Sequence, residues 1–331
     1  MTRPDPPQSW SFQTRMLTDI FVVLGVIFLL SLLGYLIPQL IVRFSKPLDL
    51  KSRYGGGYVF ITGGNSGIGE SFAKKVAKMG FNVAILGQNE ERLNKTAQDI
   101  HEINSQVRVI TIKADLSGDP EKVTEQVVSR LHGEDLSILF FNAGYGLASN
   151  PTENTLRQFR SNIVTHQYLF QALYPKLSNR KMNGIRRGAV LFTSSIVSFI
   201  YPPAMIVYGA TKAYLGHLGE CLATEAEYFG IDVVSLYPGG VNTRFSERNN
   251  NANQSEFLKK VNQTGDDVAS LALSGLGRVT RVDSGFQSIL LRLITKLIDA
   301  NIFIRITRMA LPSFIKKQNL NKQQETKDIN E

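Results

Sequence analysis

The chain contains one long apolar stretch near its N-terminus. Residues 20–42 carry no charged side chain, and as an α-helix they would measure about 34 Å, enough to cross the ~30 Å hydrocarbon core of a bilayer. Tyr35, Pro38 and Gln39 close the stretch, where a cleaved signal peptide would have small residues. The pattern favours an uncleaved, single-pass membrane anchor over 20–42, preceded by a short tail over 1–19, rather than a signal peptide or a buried core helix.

The central part of the chain alternates between short β-rich runs and amphipathic helical patterns. Alternation of this kind is typical of a parallel sheet with helices on both faces. It predicts a doubly wound α/β domain over residues 57–284, joined to the anchor by a basic linker over 43–56. The six predicted strands are Tyr58–Thr62, Asn82–Leu86, Val107–Lys113, Ser137–Phe141, Ala189–Ser194 and Asp232–Tyr237.

A second apolar pattern lies near the C-terminus. Its members recur with the spacing of one helical stripe, but basic residues interrupt it too often for a membrane span. We predict basic amphipathic helices over 285–317, either packed on the domain or lying among lipid headgroups, and a disordered polar tail over 318–331. The stripe comprises Phe286, Ile289, Leu290, Leu293, Ile294, Leu297 and Ile298.

The charge distribution changes the picture of possible partners. The net charge is +9, of which residues 1–56 contribute +3 and residues 285–331 contribute +4, so the centre is nearly neutral. Basic flanks favour contact with anionic membrane lipids, and the neutral centre argues against a nucleic-acid partner. More basic residues follow the apolar stretch than precede it, which predicts a cytosolic domain. The single cysteine, Cys221, excludes an internal disulfide.

The first predicted strand runs directly into a glycine-rich turn that opens a helix. Gly63, Gly67 and Gly69 have the spacing G-x-x-x-G-x-G. Glycines allow the backbone to approach a pyrophosphate, which the N-terminus of the following helix then binds. This spacing resembles that of the short-chain dehydrogenases/reductases.

Later motifs extend the resemblance over residues 57–245. They occur in the family's order, although Phe141 stands where the family has a further Asn. The chain is therefore identified as a member of this family, which implies a Rossmann-like fold and a nicotinamide-dependent oxidoreductase. The motifs are Ala114-Asp115-Leu116, Asn142-Ala143-Gly144, Asn162, Ser195, Tyr208-x-x-x-Lys212 and Pro238-Gly239-Gly240-Val241-Asn242-Thr243.

Four residues are candidates for catalysis. Lys212 lies one helical turn after Tyr208, and its charge should favour the phenolate and lower the pKa of the tyrosine. Tyr208 is therefore the predicted general acid in ketone reduction. The resemblance implies that Lys212 also binds the nicotinamide ribose, that Ser195 hydrogen-bonds the carbonyl oxygen, and that Asn162 holds a water that relays protons.

The resemblance also implies a dinucleotide site, with Asp115 at the adenine, and no metal site is predicted. NAD-binding members place an acidic residue where this chain has Gly87, which favours NADPH over NADH. No obvious cation faces the 2′-phosphate, so Asn65, Ser66, Gln88, Asn89 or Arg92 must bind it. The predicted cofactor-binding residues are Gly63, Asn65, Ser66, Gly67, Ile68, Gly69, Gln88, Asp115, Asn142, Ala143, Gly144, Tyr208, Lys212, Pro238, Gly239, Val241 and Thr243.

The anchor, the basic segment before the first strand and the late run Leu276–Arg281 resemble one membrane-anchored group of the family. This group contains the very-long-chain 3-oxoacyl-CoA reductases and the 17β-hydroxysteroid dehydrogenases of types 3 and 12. The resemblance to this group implies a lipid ketone as substrate, in particular a 3-oxoacyl-CoA of fatty acid elongation. It also implies location in the endoplasmic reticulum membrane. A steroid, 3-ketodihydrosphingosine, and a catalytically silent scaffold remain alternatives. A homodimer is also implied, formed by the helix after Tyr208 and the helix that bears Asn162.

Overall fold

A computed structural model describes residues 8–146, 155–243, 262–309 and 311–312. The chain divides into two compact units, residues 1–45 and residues 46–331. The described part of the first unit is a single helix, α1 (Gln8–Phe44).

Helix α1 is longer than the predicted span, because it begins within the segment predicted as a tail. Apolar residues such as Phe12 and Met16 continue the helical pattern toward the N-terminus, and extending an existing helix costs little free energy because each added residue forms a hydrogen bond. The part from Phe12 to Phe44 is long and apolar enough to cross a membrane. The same length and composition would also fit a signal sequence.

The second unit is built on a parallel sheet of seven strands, ordered β3-β2-β1-β4-β5-β6-β9, and a separate pair β7-β8. All six predicted strands are confirmed within two residues at each end. The sequence pattern does not predict β9, because three of its four residues are polar. The strands are β1 (Tyr58–Thr62), β2 (Asn82–Gly87), β3 (Val109–Lys113), β4 (Leu136–Phe141), β5 (Gly188–Thr193), β6 (Ile231–Pro238), β7 (Val241–Asn242), β8 (Gln263–Thr264) and β9 (Arg281–Ser284).

Helices cover both faces of this sheet, as predicted. The second unit contains α2 (Leu50–Tyr54), α3 (Gly67–Lys78), α4 (Glu90–Ile103), α5 (Pro120–Arg130), α6 (Thr155–Phe159), a π-helical turn (Arg160–Val164), α7 (Thr165–Ser178), α8 (Ile206–Ala226), α9 (Gly265–Gly275), α10 (Phe286–Leu297) and α11 (residues 300–309). Helix α3 packs against α4 and α9 in one layer, and α5 packs against α7 in the other. Short 3-10 turns lie at Ile196–Ser198 and Glu227–Phe229.

The core lies between the central strands and these helices. Strands β1, β4, β5 and β6 are buried along their whole length, as expected for a parallel sheet covered on both faces. Phe141, which stands where the family has Asn, belongs to this core. Its ring stacks on Phe192 with 5.1 Å between centroids and meets the edges of His166 and Phe170. The departure from the family motif therefore contributes packing at this position.

The segment predicted as a basic linker folds instead as part of the second unit. Leu50 and Tyr54 of α2 are buried, and the Tyr54 hydroxyl donates a hydrogen bond to Asp232 Oδ2 at 2.8 Å. Arg53 Nε donates to the same oxygen at 2.6 Å. The charge pattern could not show this, because Asp232 lies in β6, far along the sequence.

The sheet topology fixes where a ligand would bind. Strand β1 lies between β2 and β4, so the order in which strands are added reverses beside it. In open α/β sheets, ligands bind beyond the carboxyl ends of the strands at this point. The glycine-rich turn after β1 and the Asn142-Ala143-Gly144 turn after β4 both lie there.

Candidate active site

The glycine-rich turn brings backbone close to backbone. Gly63 and Gly67 have positive φ angles of 69° and 55°, which residues other than glycine rarely adopt. A Cβ atom on Gly69 would lie 2.2 Å from the carbonyl oxygen of Gly63. Ser66 precedes α3 and makes no capping bond with its side chain to the described residues. The first N–H groups of α3 are therefore placed to bind an anion.

The turn after β4 is tied to two neighbouring strands by Asn142. Its Nδ2 donates to the carbonyl oxygen of Thr62 at 3.2 Å, and its Oδ1 accepts from Thr193 Oγ1 at 3.2 Å. The backbone N–H groups of Asn142 and Ala143 both donate to Thr62 Oγ1, at 2.9 and 3.0 Å. A Cβ on Gly144 would lie 3.0 Å from Lys212 Nζ, so a side chain here would push against the lysine ammonium.

Tyr208 and Ser195 meet where β5 ends and α8 begins. Tyr208 is 7% exposed and shares a hydrogen bond with Ser195. Ser195 Oγ also accepts the N–H of Val197 at 3.4 Å, so the serine caps a 3-10 turn as well. Burial raises the pKa of Tyr208 well above its ordinary value, and the bond with Ser195 only partly opposes this rise.

The prediction that Lys212 lowers the pKa of Tyr208 is wrong for this structure, because burial raises that pKa and only the bond with Ser195 opposes the rise. Lys212 Nζ lies 5.8 Å from the centroid of the Tyr208 ring and donates to the carbonyl oxygen of Thr193 at 2.8 Å. Among the described residues no carboxylate pairs with it. Burial lowers the pKa of Lys212 to about 7, so near neutral pH the lysine carries only part of its charge. A ligand that accepts hydrogen bonds from the Lys212 ammonium would stabilise its charged form.

Asn162 uses its whole side chain to hold neighbouring segments. Its Oδ1 accepts the N–H of Tyr145 at 2.7 Å, and its Nδ2 donates to the carbonyl oxygen of Tyr145 at 2.8 Å and to Thr211 Oγ1 at 3.0 Å. It lies in the π-helical turn Arg160–Val164, where the backbone bonds are displaced by one residue. A water held by Asn162, as the resemblance implies, would bind a second acceptor site on Oδ1 or on the main-chain carbonyl oxygen.

The sequence reasoning missed His166, which links these parts. His166 Nε2 lies 3.0 Å from Thr62 Oγ1, and its Nδ1 lies 3.1 Å from the carbonyl oxygen of Asn162. Because a carbonyl oxygen can only accept, Nδ1–H donates to Asn162, which leaves Nε2 as an acceptor for the Thr62 hydroxyl. Burial and the charge of Lys212 lower the pKa of His166 to about 4. The only sequence signal is its position four residues after Asn162.

The adenosine end of the predicted site lies at the ends of β2 and β3. Asp115 Oδ1 accepts from Gln88 Nε2 at 2.5 Å and from the N–H of Ser117 at 2.8 Å. A Cβ on Gly87 would lie 2.6 Å from Asn65 Oδ1. The Asn65 amide thus fills the space that an acidic side chain at position 87 would occupy.

Arg92, another predicted phosphate ligand, lies in the first turn of α4. Its N–H donates to Asn89 Oδ1 at 2.8 Å, and Asn65 Nδ2 donates to the carbonyl oxygen of Asn89 at 3.3 Å. These three residues and Gln88 are therefore gathered beside the end of β2.

The last predicted motif, residues 238–243, lies against the glycine-rich turn. Pro238 ends β6, and the N–H of Gly239 donates to the carbonyl oxygen of Ser284 at 2.9 Å. Val241 belongs to β7. A Cβ on Gly67 would lie 3.1 Å from Thr243 Cγ2. A Cβ on Gly265, at the start of α9, would lie 3.1 Å from the backbone nitrogen of Ile68.

The structure thus gathers the predicted residues at one edge of the sheet. An uncapped helix N-terminus, a glycine cradle and a buried lysine without a carboxylate partner among the described residues fit a dinucleotide with its pyrophosphate and ribose.

Comparison with known proteins establishes the family. The short chain dehydrogenase family model matches residues 57–254, and the chain belongs to this family. A very-long-chain 3-oxoacyl-CoA reductase of Pyricularia oryzae is 30% identical over 190 residues, which cover 55% of this chain and 56% of that reductase. The protein is accordingly an oxidoreductase that acts on alcohol or ketone groups with NAD or NADP.

Two solved structures extend the comparison. A 7beta-hydroxysteroid dehydrogenase is 26% identical with a TM-score of 0.69, and the match covers 78% of this chain and 99% of that one. A short-chain dehydrogenase from Sphingobium yanoikuyae, solved with NADPH, is 25% identical with a TM-score of 0.62, over 77% and 95% of the two chains.

We predict that His166 makes the fold sensitive to acid. Because its pKa of about 4 lies below the ordinary 6.5, the unfolded chain takes up this proton first as the pH falls. The free energy of unfolding should therefore decrease between pH 6.5 and pH 4, by up to about 3 kcal/mol from this group. Urea unfolding of the detergent-solubilised protein at several pH values measures this decrease.

His166→Gln should flatten this part of the pH profile, since glutamine does not titrate. The matched control is His132→Gln, which changes an exposed histidine and should keep the wild-type slope. Equal slopes in the two variants would contradict the assignment.

Proposed function

We propose that the protein is a membrane-anchored, NADPH-dependent reductase of a lipid ketone, most of all of a 3-oxoacyl-CoA in fatty acid elongation. The observation that carries this proposal is the convergence of Ser195, Tyr208 and Lys212, with Lys212 lying against Gly144 in the turn after β4. The similarity to the Pyricularia oryzae reductase supports the choice of substrate.

When bound, the reduced nicotinamide supplies a hydride to the carbonyl carbon of the ketone. Tyr208 donates its hydroxyl proton to the carbonyl oxygen, so that the oxygen becomes an alcohol without passing through a free alkoxide. Ser195, which bonds Tyr208, directs its hydroxyl at the same oxygen and fixes its position.

Lys212 restores the proton state of the tyrosine. With a pKa near 7, it exchanges protons readily at neutral pH, and its ammonium form stabilises the phenolate that donation leaves behind. Asn162 holds the turn at Tyr145 against α8 and offers Oδ1 or its main-chain carbonyl oxygen to a relaying water. Catalysis is thus assigned to Asn162, Ser195, Tyr208 and Lys212.

The end of β2 supports a preference for NADPH. At the end of β2 the chain has Gly87 and the Gln88 amide where a carboxylate would repel the 2′-phosphate, and this amide donates to the neighbouring Asp115 carboxylate. Asn65, Gln88, Asn89 and Arg92 are gathered at this point, and a relative binds NADPH. Asp115 binds the adenine, and the remaining residues named in the sequence prediction line the rest of the cofactor site.

A steroid is the second candidate substrate, favoured by the likeness to the 7beta-hydroxysteroid dehydrogenase. A panel of 3-oxoacyl-CoAs, 17-keto steroids and 3-ketodihydrosphingosine, each followed by NADPH oxidation, separates the substrate classes. A scaffold without turnover would oxidise NADPH with none of them.

We propose that α1 anchors the protein in the endoplasmic reticulum membrane with the reductase domain in the cytosol. The apolar stretch Phe12–Phe44 and the basic residues that follow the predicted span support this orientation. It would give the domain access to cytosolic NADPH. The homodimer through α7 and α8 stays a prediction.

Tyr208→Phe should lower kcat by about a thousandfold, because it removes the hydroxyl that protonates the ketone. The dissociation constant for NADPH should change little, since the ring remains. The measurement is NADPH oxidation by the detergent-solubilised chain, with cofactor binding followed by fluorescence. Tyr214→Phe on the same helix is the matched control, since Tyr214 is 37% exposed; wild-type turnover in Tyr208→Phe would refute the mechanism.

Gly87→Asp combined with Asn65→Ala should shift the enzyme toward NADH. The second change makes room, because the new Cβ would otherwise meet Asn65. The carboxylate repels the 2′-phosphate and accepts a hydrogen bond from the 2′-hydroxyl, so the ratio of kcat/KM for NADPH over NADH should fall at least about tenfold.

Gly87→Asn with Asn65→Ala is the uncharged control for the cofactor experiment and should shift this ratio much less. A wild-type enzyme that already prefers NADH would overturn the interpretation of Gly87.

Orientation in the membrane can be tested at natural glycosylation patterns. Asn94 is exposed on α4 and Asn262 is half-buried before β8, while a third pattern at Asn253 lies outside the described residues. A cytosolic domain should carry no glycan at any of them and should be digested by protease added to sealed microsomes. Sugar on these residues, or protection from protease while a lumenal marker is also protected, would reverse the orientation.

A further inference from the structure

Helix α10 leaves part of its apolar stripe exposed. Ser288 and Arg292 lie four residues apart on one face and are buried, with 0% and 8% exposure. Phe286, Leu290 and Leu297 lie on the opposite face and are 67%, 42% and 67% exposed. In a water-soluble domain the apolar stripe of a surface helix normally faces the core, whereas only part of this stripe, namely Ile289, Leu293, Ile294 and Ile298, is half-buried.

Specific polar contacts hold α10 in this orientation. Arg292 donates two hydrogen bonds to the buried carboxylate of Asp283, from Nη2 at 3.1 Å and Nε at 3.2 Å. Its Cζ lies 3.4 Å from the centroid of the Phe199 ring. Ser288 Oγ donates to the carbonyl oxygen of Tyr237 at 2.9 Å. Rotating the helix would leave a buried charge without its partner, so Phe286, Leu290 and Leu297 are held facing outward.

Helix α11 adds a second exposed stripe. Ile302, Ile306 and Met309 follow the spacing i, i+4, i+7 and are 54%, 53% and 81% exposed. Phe303 lies on another face, and its ring centroid is 5.9 Å from that of Tyr201. Two successive helices therefore each present large apolar side chains to the outside, which marks an interaction surface. We call it the C-terminal apolar surface, formed by Phe286, Leu290, Leu297, Ile302, Ile306 and Met309.

We propose that the C-terminal apolar surface lies among the headgroups and upper acyl chains of an anionic bilayer. Its exposed charges are mostly basic, namely Lys296, Arg305 and Arg308 against Asp299. Apolar stripes with basic neighbours are the pattern of helices that lie in a membrane interface. A second copy of this chain would bring the same positive charges face to face, which disfavours self-association through this surface.

The same contacts connect this surface to the catalytic segment. Arg292 packs on Phe199 and Phe303 packs on Tyr201, and both aromatic residues lie in the chain between Ser195 and Tyr208. The two helices that carry the C-terminal apolar surface therefore pack, through their inner faces, on the chain between Ser195 and Tyr208. We infer that a ketone dissolved in the bilayer reaches Tyr208 from the membrane side, an inference that rests on the proposed function.

Depth-dependent quenching tests the membrane contact without requiring turnover. In the full chain, Cys221→Ser removes the natural thiol, and Leu290→Cys or Ile306→Cys receives an environment-sensitive fluorophore. The protein is placed in phosphatidylcholine vesicles that contain phosphatidylserine and lipids with nitroxide on the acyl chain. Gln98→Cys is the control, because Gln98 is exposed on α4, at the edge of the sheet opposite β9.

Labels at 290 and 306 should be quenched several-fold more strongly than the label at 98. Equally weak quenching at all three positions would overturn the proposal. Protection of the 290 label that depends on protein concentration in detergent, where no bilayer is present, would instead show a protein partner and would also overturn it.

A kinetic experiment tests the route of the substrate. Leu290→Asp with Ile306→Asp should raise KM for a long-chain ketone in vesicles about tenfold and leave kcat unchanged, because the surface binds the bilayer less well. Reduction of a short, water-soluble ketone should be unaffected, which also shows that the variant is folded. Gln98→Asp is the charge-matched control. Equal KM changes for both ketones would refute access from the membrane.

The two arms separate this proposal from the proposed function. If no ketone of the panel is reduced, the assigned activity fails while the quenching result still decides the membrane contact. If ketones are reduced but the labels stay unquenched, the activity stands and the membrane contact fails.

Discussion

The site depends on a buried hydrogen-bond network that joins the ends of three strands. Asn142 bonds Thr62 at the end of β1 and Thr193 at the end of β5. His166 then connects Thr62 with the carbonyl of Asn162, whose side chain reaches α8. Because each buried polar group has a partner, one arrangement is favoured over others. The glycine-rich turn and the helix that carries Tyr208 are thereby held in fixed relation.

This network also sets the electrostatics of the site. The described residues around Lys212 provide a carbonyl oxygen but no carboxylate, so burial lowers its pKa. The positive charge that Lys212 retains disfavours a second cation, and His166 stays neutral for this reason as well as through burial. A ligand that brings negative charge or hydroxyl oxygens close to Lys212 would therefore raise the pKa of this lysine.

Much of this was accessible from the sequence, because glycine turns and the tyrosine and lysine motif are local in the chain. Six strands follow from runs of apolar residues, and the motif residues do gather at one edge of the sheet. The features that the sequence does not reveal depend on distant partners: the segment with Arg53 is part of the domain through Asp232, and His166 has meaning only beside Thr62. Periodicity finds the stripe of α10, but the pair Asp283 and Arg292 decides which way it faces.

The fastening of α2 has a mechanical consequence. Arg53, Tyr54 and Arg186 all bond the carboxylate of Asp232 in β6. A pull on the chain at residue 45, where the first unit ends, is therefore borne by this ionic clamp before it reaches β1. The glycine-rich turn at the far end of β1 is shielded from such loads, so tension on the chain before α2 would leave the geometry of the reacting groups undisturbed.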